Sequence, residues 1–286
     1  MTTPVFIVSS GRSGTLSLTR MFELYEDVEF HHEYHIHHVQ PLAFKFHHGI
    51  INIQEAINEL WKTHGAGFYY TESKVWGDSS NKLSWLIPAL SWMFPQAKWV
   101  QLVRDGRKVV SSFYNKLGDE CYGDEDYEVM KGWAENTQVL APPPDKKYWW
   151  NIAPDGYDRF QRLCWHWANV HKTIEEDFEF VDNKKTIRLE DLTADSYILA
   201  DLLHWLGLEY DPIMFKAMQI PYNVHTPEDH LLTDEQTEKF WPICKDMMDH
   251  FGYEEDGEYQ MEYEAATPKE VRKFLDEPIM RFMFKR

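Results

Sequence analysis

The chain is short of several things, and each shortage argues against a class of protein. Cysteine is scarce: Cys121, Cys164 and Cys244 are an odd, widely spaced set among 286 residues, with no Cys-x-x-Cys pair. Such a set gives no disulfide framework and sets the expectation of a reducing compartment. Cations are outnumbered: 29 Lys and Arg stand against 47 Asp and Glu, for a formal net charge of −18. A surface that tracks nucleic-acid phosphates needs clustered Lys and Arg, so no nucleic-acid partner is expected. Long apolar runs are missing as well. Nothing approaches the roughly 18 residues that a membrane span needs. Met1-Thr2-Thr3-Pro4 enters the first apolar run without a basic leader. The expectation is a cytoplasmic protein with no membrane span.

What the chain does have is apolar mass, 43% hydrophobic and 15% aromatic, enough for one large domain. Val5–Val8, Val28–Phe30, Trp99–Val103 and Thr186–Leu189 read as short buried strands. Helical patterns follow the first strand and recur over 52–63, 82–93, from Val109, and over 157–178, 196–206 and 234–251. Strands alternating with helices place the chain in the α/β class, with a parallel β-sheet flanked by helices. Two stretches break the alternation. Residues 118–155 carry Pro142–Pro144 and the cluster Tyr148-Trp149-Trp150, and 257–286 turns from acidic to basic and aromatic. With no internal repeat, residues 1–286 read as a single domain with an insertion at 118–155 and a C-terminal extension at 257–286.

Two motifs carry chemistry. Ser9-Ser10-Gly11-Arg12-Ser13-Gly14-Thr15 lies between a strand and a helix, where glycines let backbone N–H groups close around an anion. The nucleotide-hydrolase version needs Gly-x-x-x-x-Gly-Lys-Ser/Thr, but here the basic residue is Arg12, inside the loop. The second motif is Trp99 to Ser112. It is a strand, a basic turn and a helix start, with Arg104 at the carboxyl end of the strand and Ser112 eight residues on. That edge of a parallel sheet is where ligands bind, and an arginine fork with a hydroxyl suits a second phosphate. Arg107 and Lys108 read as surface charges.

Together the two motifs resemble those of the sulfotransferase superfamily. Its members hold a 5′-phosphosulfate with a strand and a Lys/Arg-Ser-Gly-Thr loop, and a 3′-phosphate with an Arg and a Ser eight residues later. The loop arginine and Val103-Arg104-Asp105-Gly106-Arg107 look closest to the tyrosylprotein sulfotransferase branch and its bacterial relatives. Ile187-Arg188-Leu189-Glu190-Asp191-Leu192 and Cys244…Phe251-Gly252-Tyr253 are similar to later family segments. The resemblance spans about 4–115 and 157–253. It implies a P-loop-like sulfotransferase fold and transfer of a sulfuryl group from 3′-phosphoadenosine 5′-phosphosulfate (PAPS), leaving adenosine 3′,5′-bisphosphate (PAP), with no metal required. The acceptor would bear a hydroxyl on a carbohydrate, a tyrosine or a small molecule.

Residue by residue, the resemblance assigns the donor to Gly11, Arg12, Ser13, Gly14, Thr15, Leu16, Ser17, Arg104 and Ser112. Asn223 and His225, in a segment similar to the family's nucleotide-closing loop, join them. Arg12 would also stabilise charge on the leaving phosphate. Glu33 lies five residues after Val28, as the tyrosylprotein branch places its base. His32 and His35 are rival bases, since imidazole titrates near neutrality. Leu16 and Ser17 replace the residues that many members carry after the loop. Gly77-Asp78-Ser79-Ser80 stands where many have Gly-Asp-Lys-Thr, so Lys74 or Lys82 would have to stand in for the lysine. The histidines from His31 to His48 complete no zinc signature and read as polar lining, with no metal expected. Trp165, His166, Trp167 and Asn169 are candidates for adenine stacking or core packing. Trp133, Tyr148, Trp149 and Trp150 are candidates to stack on an acceptor. The competing functions are a nucleotide kinase, for which the loop lacks its lysine, and a non-catalytic nucleotide-binding relative.

Overall fold

A computed structural model describes residues 2–117, 122–124, 152–219, 231–255 and 257. Five strands form one sheet: β1 (Thr3–Val8), β2 (Val28–His32), β3 (Val75–Ser79), β4 (Lys98–Val103) and β5 (Lys184–Arg188). Their order is β2-β3-β1-β4-β5, and every neighbouring pair is parallel. Parallel neighbours need crossovers, and the helices supply them. They are α1 (Thr15–Phe22), α2 (Ile36–His47), α3 (Ile53–Leu60), α4 (Ala66–Tyr70), α5 (Ile87–Met93), α6 (Gly106–Lys116), α7 (Arg159–Phe178), α8 (Leu189–Ala194), α9 (Ser196–Leu206), α10 (Pro212–Met218) and α11 (Asp234–His250).

The alternation along β1 explains its unbroken apolar run. Phe6 and Val8 face one way, into a core with Trp76, Trp99, Leu60, Leu90 and Ile174. Val5 and Ile7 face the other way, onto Leu18, Val100, Leu199 and Leu203. A strand covered on both faces must be apolar at every position, so its sequence does not alternate. A third core joins α6, α7 and α11 through Val109, Val110, Phe113, Trp167, Phe240 and Cys244. Capping boxes at Asn52, Asp158 and Thr233 start α3, α7 and α11, each reading Asn/Asp/Thr-x-x-Glu/Gln in the sequence.

Two expectations are corrected. Residues 82–93 are a short 3-10 turn, Leu83–Trp85, and then α5, with Pro88 in the first turn of that helix. Arg107 and Lys108 are not surface charges: they are 5% and 4% exposed. Arg107 pairs with Asp105 at 2.7 Å, donates to the carbonyl oxygens of Glu255 and Gly257, and lies over the Trp241 ring. Chain more than 130 residues downstream covers it, and short-range sequence cannot report that. The insertion at 118–155 and the extension at 257–286 lie almost wholly outside the described residues, as do Cys121, Trp133, Tyr148, Trp149, Trp150, Asn223 and His225.

Candidate functional site

The loop after β1 curls because three of its residues take left-handed backbone angles: Gly11 at φ 88°, Arg12 at 55° and Gly14 at 83°. Such turns point successive N–H groups inward, making an anion nest. Gly14 is also the N-cap of α1 and has no side-chain cap, so the first N–H groups of that helix face the same hollow. Glycine is favoured at position 14. A Cβ there would lie 2.7 Å from Leu189 Cδ1, besides the strain of its φ. Ser13 Oγ donates to the Gly11 carbonyl at 3.0 Å and so ties the curl closed. Ser17 is buried on α1, while Leu16 is half-buried.

The second motif meets the first directly. Arg104, leaving β4, donates from Nη1 to the Arg12 carbonyl at 2.9 Å. Arg12 Nε in turn donates to Ser112 Oγ on α6 at 3.0 Å. The backbone of Arg104 is held by Trp167, whose Nε1 donates to its carbonyl at 3.3 Å. The next residue is held by Glu190, which accepts the Asp105 N–H at 3.1 Å and the Tyr253 hydroxyl at 2.9 Å. Leu189 and Glu190 of the Leu-Glu-Asp-Leu segment therefore brace one motif each.

The sequence missed two residues here. Lys116 is one helical turn after Ser112 on α6, and its ammonium is brought down to about 8 by burial and by the nearby Arg12 charge. The signal was the i, i+4 spacing from Ser112. His166 was read only as an aromatic candidate. It is fully buried on α7, its Nε2 3.0 Å from the Ser10 carbonyl and its Nδ1 3.0 Å from the Tyr122 hydroxyl. Burial lowers it to about 4, so it is neutral at pH 7. With Nε2 donating to Ser10, Nδ1 accepts from Tyr122. Trp167 packs against Phe240 and Phe251 in the core.

On the other side of the loop, β3 ends at Ser79 and Lys82 follows. Lys82 is 4% exposed, and its ammonium donates to Asn81 Oδ1 at 2.7 Å and Glu33 Oε1 at 3.1 Å. Asn81 packs against Gly11. Glu33 follows β2 and is about a third exposed, at 36%. Lys74 lies at the opposite, amino-terminal end of β3 and is exposed, so it cannot stand in for the lysine. His32 Nδ1 faces the Ser79 carbonyl and hydroxyl at 3.1 and 3.0 Å, which leaves Nε2 as its basic lone pair. Desolvation lowers the pKa of that ring. His35 caps α2 with φ 49°, is exposed, and sets its ring edge-on to Tyr34. Among the described residues, no group of three or more His, Cys, Asp or Glu is arranged to hold a metal ion.

Glu33, Lys82, the loop and Arg104 follow β2, β3, β1 and β4 at their carboxyl ends, in the order of the sheet. The chain leaves β1 for neighbours on both sides, which makes that edge the binding crevice of an open parallel sheet. An acidic protein thus places Arg104 and Lys116 beside Arg12, with Lys82 next to Asn81 on the other side of the loop, a focus for a polyanion.

Comparisons with known proteins bear on the fold and on the family. No curated protein matches the chain. Among solved structures, a sulfotransferase domain from the curacin biosynthetic pathway superposes with a TM-score of 0.52 at 12% identity, over 89% of this chain and 99% of that one. That likeness shows a shared fold. A sulfotransferase from Alicyclobacillus acidocaldarius aligns over 87% of this chain and 96% of its own, at 14% identity and a TM-score of 0.48. The model of the sulfotransferase family matches residues 4–212, a span that takes in the loop, Glu33, Lys82, Arg104 and Ser112. With most of its length matched, the chain belongs to the sulfotransferase family.

Proposed function

We propose that the protein transfers a sulfuryl group from PAPS to an acceptor hydroxyl, with Glu33 as the base. The observation that carries this reading is the contact between the two motifs, Arg104 to Arg12 and Arg12 to Ser112, beside the Lys82–Glu33 pair. The donor supplies the sulfuryl group on a good leaving group. Everything else falls to side chains and backbone amides of this chain. The N–H groups of Ser13–Thr15 and the Arg12 side chain hold the 5′ end and stabilise charge as the bridging oxygen leaves. Arg104, Ser112 and Lys116 hold the 3′-phosphate, where a guanidinium fork pairs two oxygens.

Sulfuryl transfer makes the demands of phosphoryl transfer: in-line geometry, charge stabilisation at the leaving oxygen and a base for the acceptor. Glu33 takes the proton of the acceptor hydroxyl. The acceptor oxygen forms the new S–O bond, and the electron pair of the broken bond goes to the phosphate oxygen of PAP. Lys82 orients the Glu33 carboxylate and places a positive charge between the base and the loop. A kinase reading has no residue to act, because Thr15-Leu16 follows Gly14 where a lysine would be needed. Free, buried Cys164 and Cys244 suit a reducing, cytoplasmic setting. Among the described residues no helix is long and apolar enough to cross a membrane.

The test is an acceptor screen with isotopically labelled donor, run on the parent and on Glu33→Gln. The variant should bind PAP like the parent and turn over at least ~10²-fold more slowly. Near-normal turnover removes Glu33 as the base and points to His32 or His35. PAP binding with no turnover by the parent on any acceptor supports the non-catalytic relative.

A further inference from the structure

Asp78 lies in the middle of the sheet and has no part in the chemistry above. It is 0% exposed, and so is His64. A buried carboxylate is tolerated only when each oxygen has a partner. Asp78 Oδ1 accepts the Tyr34 backbone N–H at 3.1 Å, and Oδ2 lies 3.1 Å from His64 Nε2. The other ring nitrogen of His64 is 3.2 Å from Thr63 Oγ1. His64 reaches this position because the chain after α3 widens into a single π-helical turn, Trp61–Gly65. Isolated π turns cluster at functional sites. Here the turn folds the Trp61 ring onto Gly65, where an added Cβ would meet ring atom Cε3 at 2.1 Å. The rings of Tyr34 and Trp76 then stand edge-on to the His64 imidazole, at 5.5 and 5.8 Å.

The amide that Asp78 holds lies between two left-handed residues, Glu33 at φ 58° and His35 at φ 49°. Neither is glycine, and such angles persist only where the surroundings over-determine them. The His35 carbonyl accepts the His38 and Val39 N–H groups, and three bonds hold the residues before it. Glu33 N–H donates to the Ser79 carbonyl at 3.0 Å, Ile36 N–H donates to the Glu33 carbonyl at 3.1 Å, and Tyr34 N–H donates to Asp78. Of these, only the last has a side-chain carboxyl as its acceptor.

We propose that the Asp78–His64 pair is a positioning device for Glu33. By gripping the Tyr34 amide it fixes the turn that sets the Glu33 carboxylate against Lys82, while His64 Nε2 satisfies the second Asp78 oxygen. This rests on the reading of Glu33 as the base, and the experiment separates the two. Asp78→Asn, His64→Gln, Glu33→Gln and Asp78→Asn/Glu33→Gln are compared with the parent. PAP affinity is measured by calorimetry, and transfer of labelled sulfur is measured to a simple phenol and to water. Amide exchange of Tyr34 and Ile7 is followed by NMR.

Asp78→Asn and His64→Gln should each bind PAP within about threefold of the parent and transfer at least tenfold more slowly, with the donor KM unchanged. The double variant should be no slower than Glu33→Gln alone, because both changes remove the same function. The Tyr34 amide should exchange at least tenfold faster in both single variants, with Ile7 unchanged. Intact Tyr34 protection, losses that multiply those of Glu33→Gln, or PAP affinity falling in step with rate would each overturn the proposal. If Asp78→Asn does not fold, His64→Gln gives the same readouts. A parent that binds PAP but transfers nothing sinks the reading of Glu33, while Tyr34 exchange still decides whether the pair holds the turn.

Discussion

Replacing Arg104 by methionine keeps the stem that packs beside the loop and removes the guanidinium fork. In the free protein the visible loss is the bond from Nη1 to the Arg12 carbonyl. Water can replace that donor at the half-buried rim, so the cost to folding should stay near ~1 kcal/mol. In the complex the loss is a charged hydrogen-bond pair to the 3′-phosphate, about 1.5–3 kcal/mol, or roughly 10- to 150-fold in affinity for PAP. A nucleotide without that phosphate should lose less than about threefold, since the remaining contacts lie at the 5′ end. The signature is therefore a collapse in the ratio of the two affinities. Calorimetry at one fixed ionic strength reads it directly, which avoids differences in screening. Equilibrium unfolding gives an independent check. PAP at 100 times the parent Kd should stabilise the parent by about 2.7 kcal/mol, and a variant weakened 30-fold by only about 0.9 kcal/mol. Equal weakening of both nucleotides would show that Arg104 shapes the loop instead of reading the 3′ end, and the assignment would fail.

Three further predictions follow from the same geometry. Gly14→Ala should destabilise the fold by about 2–4 kcal/mol, from left-handed strain and overlap with Leu189. Adding Leu189→Ala should relieve only the overlap, and a neutral Gly14→Ala in urea unfolding would refute the close contact. Lys116, brought down to about 8, is charged below that pH and loses its proton as the pH rises through it. PAP affinity should therefore fall between pH 7 and 9 in the parent, with proton uptake on binding. Lys116→Met should be weaker at pH 7 and lack that fall, and matching pH slopes would rule it out. His166 and His171 are fully buried and held at about 4 and about 3 by desolvation, so the unfolded chain takes up their protons first. Stability should fall as the pH drops from ~6.5 toward 4, each histidine adding up to about 1.4 kcal/mol per pH unit. Asp177, pushed up to about 7 by burial, works in the opposite sense and offsets about one histidine. His171→Leu should therefore reduce the acid slope by up to about 1.4 kcal/mol per pH unit, and an unchanged slope would contradict it.

The sequence by itself determined most of the strands, the longer helices and the two loop motifs, because these are local. Val5–Val8, Trp99–Val103 and helices 157–178, 196–206 and 234–251 announce themselves by apolar spacing and caps within a dozen residues. The reading failed where a partner far along the chain decides. It passed over β3, whose Gly77 and Asp78 have low strand propensity. They lie in the sheet because β1 and β2 pair on either side. It assigned no helix over α2, rich in histidine and interrupted by Pro41, although that helix buries Val39, Leu42 and Phe44. It left Lys74 and Lys82 equal, and only the direction of β3 separates them, by setting them at opposite edges of the sheet. The same holds for Arg107, which a downstream segment covers, and for the Tyr34 amide beside Glu33, which Asp78 holds across the strand pairing. Residue type and spacing fix what a segment can do. Which charge is buried, which amide is held and which carboxylate faces the loop depend on pairings that exist only once distant strands have met.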